Sequence, residues 1–306
     1  MFIHNISRVA LEIGPVEIRW YGIMFASGVV LYYFLTRWLW KREGALGQGG
    51  GVSGKLGMKP GGGWPIEDFD SVILFLFVGL VVGARLGEVF FYNFGYYSSA
   101  GFWEVFKIWE GGLSSHGATI GLVAAYAAFW WWKRFAFSKY IDIAAVCMPL
   151  VAGFVRIGNF FNSEIVGRAS DVPWAVVFAM NGEDFARHPA QLYEGLWAWV
   201  VFAVVFGLWL ARRDGKGRLK KWARLGSGSR PGFFLFLFIG LYFAGRFVIE
   251  FFKEYQIGVG SDGLPWGMTM GQALSVVPVV VAVGWFVWAA GRGAAKELKR
   301  RSLPSK

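Results

Sequence analysis

Apolar residues run along this chain in seven stretches, each close to the ~20 residues that an α-helix needs to cross a bilayer. They cover about 20–40, 71–94, 113–132, 140–161, 192–211, 233–252 and 269–290. The few polar positions inside them recur at three- or four-residue intervals, which on a helix puts them on one face. The pattern predicts an all-α integral membrane protein of about seven transmembrane helices. Residues 1–292 are expected to form a single polytopic domain, and 293–306 a basic tail. Residues 44–63, half of them glycine, read as a flexible loop. Residues 163–190 read as the longest loop on the opposite side, with a short strand at Trp174–Phe178. Gly79, Gly83 and Gly87 in the second stretch, and Gly117 and Gly121 in the third, repeat every four residues and predict close helix approach.

Composition agrees: 56% of residues are hydrophobic and 19% aromatic, and the mean hydropathy is +0.45. Tryptophans gather near the ends of the stretches, at Trp20, Trp38, Trp40, Trp130 to Trp132, Trp209 and Trp266, as in an interfacial belt. The first stretch is too long for a cleavable signal, and its basic pair, Lys41 and Arg42, follows the apolar run. The net charge of +11 reflects orientation, not nucleic-acid binding. Most basic residues fall in alternate loops and the C-terminal tail, which places the N-terminus outside and the C-terminus in the cytoplasm. The outside loops then form a small extracytoplasmic head. A single cysteine, Cys147, excludes a disulfide framework and a cysteine-based metal site. Gly49 to Lys55 (GGGVSGK) resembles a phosphate-binding loop, but Leu56 replaces the Ser or Thr, and the loop follows a span instead of a strand.

The costly residues decide the function class. On this topology Tyr21 opens the first span, and Arg85 and Glu88 lie in the outer half of the second. His116 begins the third, and Arg156, Asn159, Asn162 and Glu164 close the fourth. His188 and Gln191 precede the fifth. Tyr242, Arg246 and Glu250 succeed one another at four-residue spacing in the sixth. An ionisable group at the bilayer centre costs ~2.5–3.5 kcal/mol on the insertion scale and marks function by default. Arg246 with Glu250, and Arg85 with Glu88, read equally as buried ion pairs. The polar groups of six spans nevertheless converge on one leaflet, and Arg37 alone lies toward the inner side, within snorkelling reach of it. Arginines with few compensating acids suit an anion, and the guanidinium fork suits phosphate, so an anionic phospholipid is the natural ligand. No metal motif and no cofactor motif is present. A transporter would use the same arginines, but should show repeat symmetry and midplane sites. An intramembrane protease lacks a Ser–His pair on separate helices.

Ordered blocks carry a more specific signal. They are Gly14-Pro15 with Arg19-Trp20-Tyr21-Gly22; Ala84-Arg85-Leu86-Gly87 with Phe91-Tyr92-Asn93; Trp109 through Gly117; Arg156-Ile157-Gly158-Asn159 with Asn162 and Glu164; Gly167-Arg168; Arg187 through Glu194; Tyr242, Arg246 and Glu250-Phe251-Phe252; and Met270-Gly271-Gln272. In this order the chain resembles the bacterial prolipoprotein diacylglyceryl transferases. Ser163, where glycine is usual, and Glu88, where an aromatic is common, depart from the family pattern. The resemblance implies an enzyme of the cytoplasmic (inner) membrane, working as a monomer without a cofactor. It would transfer the diacylglyceryl group of phosphatidylglycerol to the lipobox cysteine of a prolipoprotein signal peptide, forming a thioether and releasing glycerol 1-phosphate. It further implies functional positions at Tyr21, His116, Arg156, Asn159, Glu164, Gly167, His188, Tyr242, Arg246 and Glu250. For that reaction Arg156 and Arg246, with Asn159, Arg85 and Tyr242, are expected to bind the lipid. His116 or His188 is expected to be the base, Tyr21 or Tyr242 to orient the head group, Glu250 to fix Arg246, and Glu164 and Gly167 to support the site.

Overall fold

The computed structural model describes residues 2–14, 16–47, 66–107, 112, 114–133, 137–213, 220, 231–254 and 267–301. Most of the glycine-rich loop with its GGGVSGK sequence, residues 108–111 and Leu113 of the Trp109–Gly117 block, most of the basic loop after Arg213, Trp266 and the last five residues lie outside the described residues. The chain is mostly helical. Among the described residues six helices are long and apolar enough to cross a membrane: Trp20–Glu43, Ile66–Tyr92, Ile141–Phe161, Ala190–Ala211, Phe233–Phe252 and Met270–Arg292. The expected stretch 113–132 is also a helix, Ser115–Lys133, but it falls outside this set. Ser115, His116 and three consecutive tryptophans lower its hydropathy.

Two compact units share the chain: residues 37–137, and residues 1–36 with 138–306. Helix α1 (Trp20–Gly47) contributes to both. In the 37–137 unit, Arg37 of α1 forms a two-pronged pair with Asp70 at 3.0 and 3.1 Å, where a snorkelling side chain was expected. Asp70 lies in α2 (Ile66–Gly87), whose first turn carries Glu67 and Asp68 against the positive end of the helix dipole. A π-helical turn, Glu88–Tyr92, follows, closed by Asn93 N–H on Glu88 O at 3.0 Å. Then come α3 (Phe94–Ala100), a 3-10 turn (Phe102–Phe106) and α4 (Ser115–Lys133). The glycine repeats meet as their spacing predicts. A Cβ on Gly87 would stand 2.6 Å from Gly117 Cα, and one on Gly83 2.6 Å from Gly121 Cα. Helices α2 and α4 therefore touch backbone to backbone.

The other unit holds five short strands among its described residues, of which the sequence announced only the one expected at Trp174–Phe178. Strand β1 (Phe2–His4) pairs in parallel with β4 (Val176–Phe178), which pairs antiparallel with β5 (Ala186–Arg187). Strands β2 (Val9–Ile13) and β3 (Val16–Arg19) form an antiparallel hairpin. An all-α reading thus corrects to a mostly helical protein with two small sheets. Two- to five-residue strands leave too short an alternation to stand out beside long apolar helices.

The helices here are α5 (Phe137–Phe161), α6 (Ala190–Ala211), α7 (Phe233–Ile249) and α8 (Met270–Arg301). The starts of α7 and α8 are satisfied by side chains. Asp142 of α5 accepts the N–H groups of Gly232, Phe234 and Leu235 at 2.9, 3.0 and 3.1 Å, capping α7 from a distant part of the chain. Thr269 and Gln272 form a reciprocal capping box at the start of α8, with bonds of 3.0 and 3.1 Å. Helix α6 carries two indoles that clamp its neighbours. Trp197 seats on Gly245 of α7 and donates to Leu241 O at 3.0 Å; Trp199 seats on Gly153 of α5 and donates to Leu150 O at 3.3 Å. A methyl at either glycine would overlap the indole. Gly245→Ala is therefore expected to destabilise the protein by ~1–3 kcal/mol, as overpacked cores do, measured as loss of detergent-resistant folded protein on heating. Gly284, with open space around it, is the control expected to tolerate alanine.

Candidate functional site

The end of α5 builds the densest polar cluster. Arg156 and Asn159 share a helix face, and Arg156 Nη1 donates to Asn159 Oδ1 at 3.2 Å. Asn159 and Asn162 both donate to Glu164 Oε1, at 2.6 and 3.3 Å. Glu164 can turn back because the backbone is left-handed on either side of it, with φ of 55° at Ser163 and 59° at Ile165. Such a φ on a non-glycine residue stores ~1–3 kcal/mol. Gln191 Nε2 holds Glu164 O at 2.7 Å. Tyr21 packs its ring against Gly158 and lies within electrostatic reach of Glu164 and Arg156.

Behind Arg156 stands an acid that the sequence reading left out of the site. Glu194 is 4% exposed and meets Arg156 Nε at 2.7 Å and Lys253 Nζ at 3.5 Å. Lys253 also reaches Glu250 at 3.1 Å, and Glu250 accepts from Thr269 Oγ1 at 3.3 Å. Glu250 was expected to fix Arg246. It does not: it pairs with Lys253, and its link to Arg246 is only the backbone bond that closes α7. Among the described residues the Arg246 side chain makes no hydrogen bond or ion pair, and its Nε is buried. Tyr242, one turn earlier, packs on Phe238 with ring centroids 5.6 Å apart.

Gly167 sits where three backbones meet. Its N–H bonds His188 O at 2.9 Å, it bridges to Lys253, and a Cβ there would meet His188 and Phe252. Arg187, buried beside it, pairs with Glu183 at 2.6 Å and Glu254 at 2.8 Å. The Glu183 bond, with that to Glu254, pushes its proton affinity above the ordinary arginine value. His188 Nδ1 lies 3.0 Å from Tyr193 Oη. His4, 0% exposed, reaches Ser163 Oγ through Nδ1 at 3.3 Å and stacks edge-on to Phe160, bracing the Glu164 turn. Burial pushes its pKa down.

In the 37–137 unit, His116 Nδ1 meets Tyr92 Oη at 2.9 Å, and the π-helical turn sets Tyr92 in place. Arg85 corrects an expectation. Its guanidinium is spent on backbone: Nε on Val105 O at 2.8 Å, Nη1 on Gly112 O at 3.1 Å, and Nη2 on Glu104 O and Lys107 O at 2.6 and 3.1 Å. It braces the segment before α4 and has little left for a phosphate. Glu88 does not pair with it in any of these bonds and accepts instead from Asn93. No cluster of metal-ligating side chains occurs among the described residues.

The sequence has relatives. Residues 8–288 match the family model described as prolipoprotein diacylglyceryl transferase. The chain belongs to the prolipoprotein diacylglyceryl transferase family. It is 37% identical over 291 residues to the phosphatidylglycerol–prolipoprotein diacylglyceryl transferase of Vibrio parahaemolyticus, covering 94% of this chain and 93% of the relative. It is 38% identical over 288 residues to the enzyme of that name from Bordetella avium, covering 94% and 96%. Membership makes the chain a transferase, and its apolar helices make it a multi-pass membrane protein.

Against the prolipoprotein diacylglyceryl transferase pattern, the departure at Ser163 acquires a physical meaning. Glycine, usual there, adopts φ near 55° without strain. Ser163→Gly is expected to stabilise the protein by ~1 kcal/mol, less whatever the contact to His4 contributes. A thermal melt would read the sign. Of the residues that sequence reasoning missed, Glu194 had a signal, since Gln191 and Glu194 share a face of α6. Lys253, three residues after Glu250, and Tyr92, in the Phe91-Tyr92-Asn93 block, had weaker ones; His4 had none, because its partner Ser163 is distant in the chain.

Proposed function

We propose that this chain transfers the diacylglyceryl group of phosphatidylglycerol to the thiol of a prolipoprotein lipobox cysteine, as the names of its relatives state for them. The observation that carries the reading at residue level is Arg246. A guanidinium without an acidic partner among the described residues, on a membrane-spanning helix, is matched by a lipid phosphate, whereas Arg156 and Lys253 are already balanced by Glu194 and Glu250. Arg246 is the principal phosphate ligand. Arg156 and Asn159 add donors, Tyr21 and Tyr242 flank the head group, Glu164 fixes Asn159, and Gly167 and Glu250 hold the surrounding backbone.

His116 takes the thiol proton at Nε2 while Tyr92 holds Nδ1. The sulfur attacks the carbon of the diacylated glycerol that bears the phosphate. An S–C bond forms, the C–O bond breaks, and the electron pair leaves on glycerol 1-phosphate, whose charge the arginines stabilise. An unperturbed thiol has a pKa of ~8.5, so a base is needed at neutral pH. In this reading α4 is a seventh span. The N-terminus and the reacting groups face away from the cytoplasm across a bacterial inner membrane, and the protein works as a monomer.

The test is incubation of the detergent-folded protein with radiolabelled phosphatidylglycerol and a lipobox peptide. A thioether-linked, labelled peptide is expected. Lipid binding without any peptide product would replace the enzyme with a lipid carrier.

A further inference from the structure

The direction of one hydrogen-bond chain can be read from its members. Trp174 Nε1 lies 2.7 Å from Tyr193 Oη, and Tyr193 Oη lies 3.0 Å from His188 Nδ1. An indole N–H can only donate, so the phenol oxygen accepts from Trp174. That leaves the Tyr193 O–H to be donated, and His188 Nδ1 is its partner among the described residues. The opposite arrangement would set two donors on one phenol oxygen and leave the hydroxyl proton without an acceptor. Imidazole nitrogen is also the stronger base of the two, and consecutive bonds in one direction reinforce each other.

We infer that the Trp174–Tyr193 relay fixes neutral His188 with its proton on Nε2, so that His188 offers an N–H to an anionic oxygen and does not serve as the base. Tyr193 and Trp174 are positioning residues. The rest of the surroundings hold the ring in place. His188 N–H bonds Arg168 O and His188 O accepts from Gly167 N–H, both at 2.9 Å. Phe252 stands edge-on with centroids 5.2 Å apart. Nε2 is the remaining polar atom of the ring. His116 differs in one respect: Tyr92 Oη has no second partner among the described residues, so it is free to accept Nδ1–H and leave the Nε2 lone pair open. The two histidines, His116 the favoured base in the sequence and His188 its rival, are thereby assigned opposite tautomers. The catalytic half of this inference rests on the proposed transfer reaction; the tautomer itself does not.

The chain has three histidines, so nitrogen-15 histidine labelling of the full-length protein in detergent gives a spectrum that single substitutions can assign. His188 is expected to show an unprotonated Nδ1 and a protonated Nε2. A proton on Nδ1, or a rapidly averaged pair, overturns the inference. Tyr193→Phe should convert the His188 signals to an averaged pair, and unchanged signals would remove the relay. If Tyr193→Phe does not fold, Trp174→Phe, at a side chain 60% exposed, should shift the same signals toward averaging. No shift there would also remove the relay.

In transfer assays His188→Gln, whose amide N–H stands where Nε2–H stood, should lose roughly threefold in kcat. His188→Asn, whose amide reaches only the Nδ1 position, should lose roughly 10- to 100-fold, the size of one hydrogen bond to a charged group. Equal losses would overturn the donor role. Absence of transfer by the unmodified protein would strike the proposed reaction and leave the spectroscopic result to decide the tautomer.

Discussion

Arg246→Ala lowers thioether formation from phosphatidylglycerol by about 10²–10³-fold, the scale of removing one preorganised donor from a developing anion. The reason is electrostatic bookkeeping at this one cluster. Arg156 and Lys253 face Glu194 and Glu250, while Arg246 makes no ion pair among the described residues. Deleting Arg246 removes the uncompensated positive charge. Deleting Arg156 leaves Glu194 with Lys253, so Arg156→Ala is expected to cost less than Arg246→Ala. Arg246→Lys should recover only part of the loss, since an ammonium supplies charge without the two-pronged fork. The measurement is transfer of labelled lipid to a lipobox peptide by protein of unchanged thermal stability. Full activity in Arg246→Ala would end the phosphate assignment.

His116→Gln lowers kcat about 10²–10⁴-fold, the range of general base catalysis, with little change in KM for the lipid. Glutamine keeps a polar group near the imidazole position but cannot accept and hold a proton. Tyr92→Phe, which frees Nδ1 of His116, should cost roughly tenfold, as one lost hydrogen bond does. A steady-state comparison of the two variants separates the base from the group that orients it. If His116→Gln turned over normally, the proton would have to leave by another route, and the departing phosphate oxygen would be the next group to test.

Much of the site was legible because cost is visible in sequence. Arg156, Asn159, Tyr242 and Arg246 stood out as polar residues at helical spacing inside apolar runs, and the structure keeps Arg156 on Asn159. What spacing could not reveal was which opposite charge each would meet. Glu250, one turn from Arg246, looked like its partner. The turn that follows α7 swings Glu250 toward Lys253 and Thr269 instead. Arg85 read either as a lipid ligand or as the partner of Glu88, whereas backbone carbonyls 19 to 27 residues away take its donors. Six of the seven expected spans followed from apolar length alone. Of the strands only β4 was expected, within Trp174–Phe178; its partner β1 lies more than 170 residues away and is too short to carry a periodic signal.

The two indoles of α6 also bear on biogenesis. Chain order places α5 and α6 in the bilayer before α7 is synthesised. The Trp199 clamp can then close early, while Trp197 stays unmatched until Gly245 arrives. Helix α7 carries Arg246, which is costly to admit into lipid, and it enters beside an α6 that already offers an indole donor and a carboxylate. Helix α7 thus docks onto a prepared surface, and a truncation ending before residue 233 should leave Trp197 accessible to quenchers that the complete chain excludes.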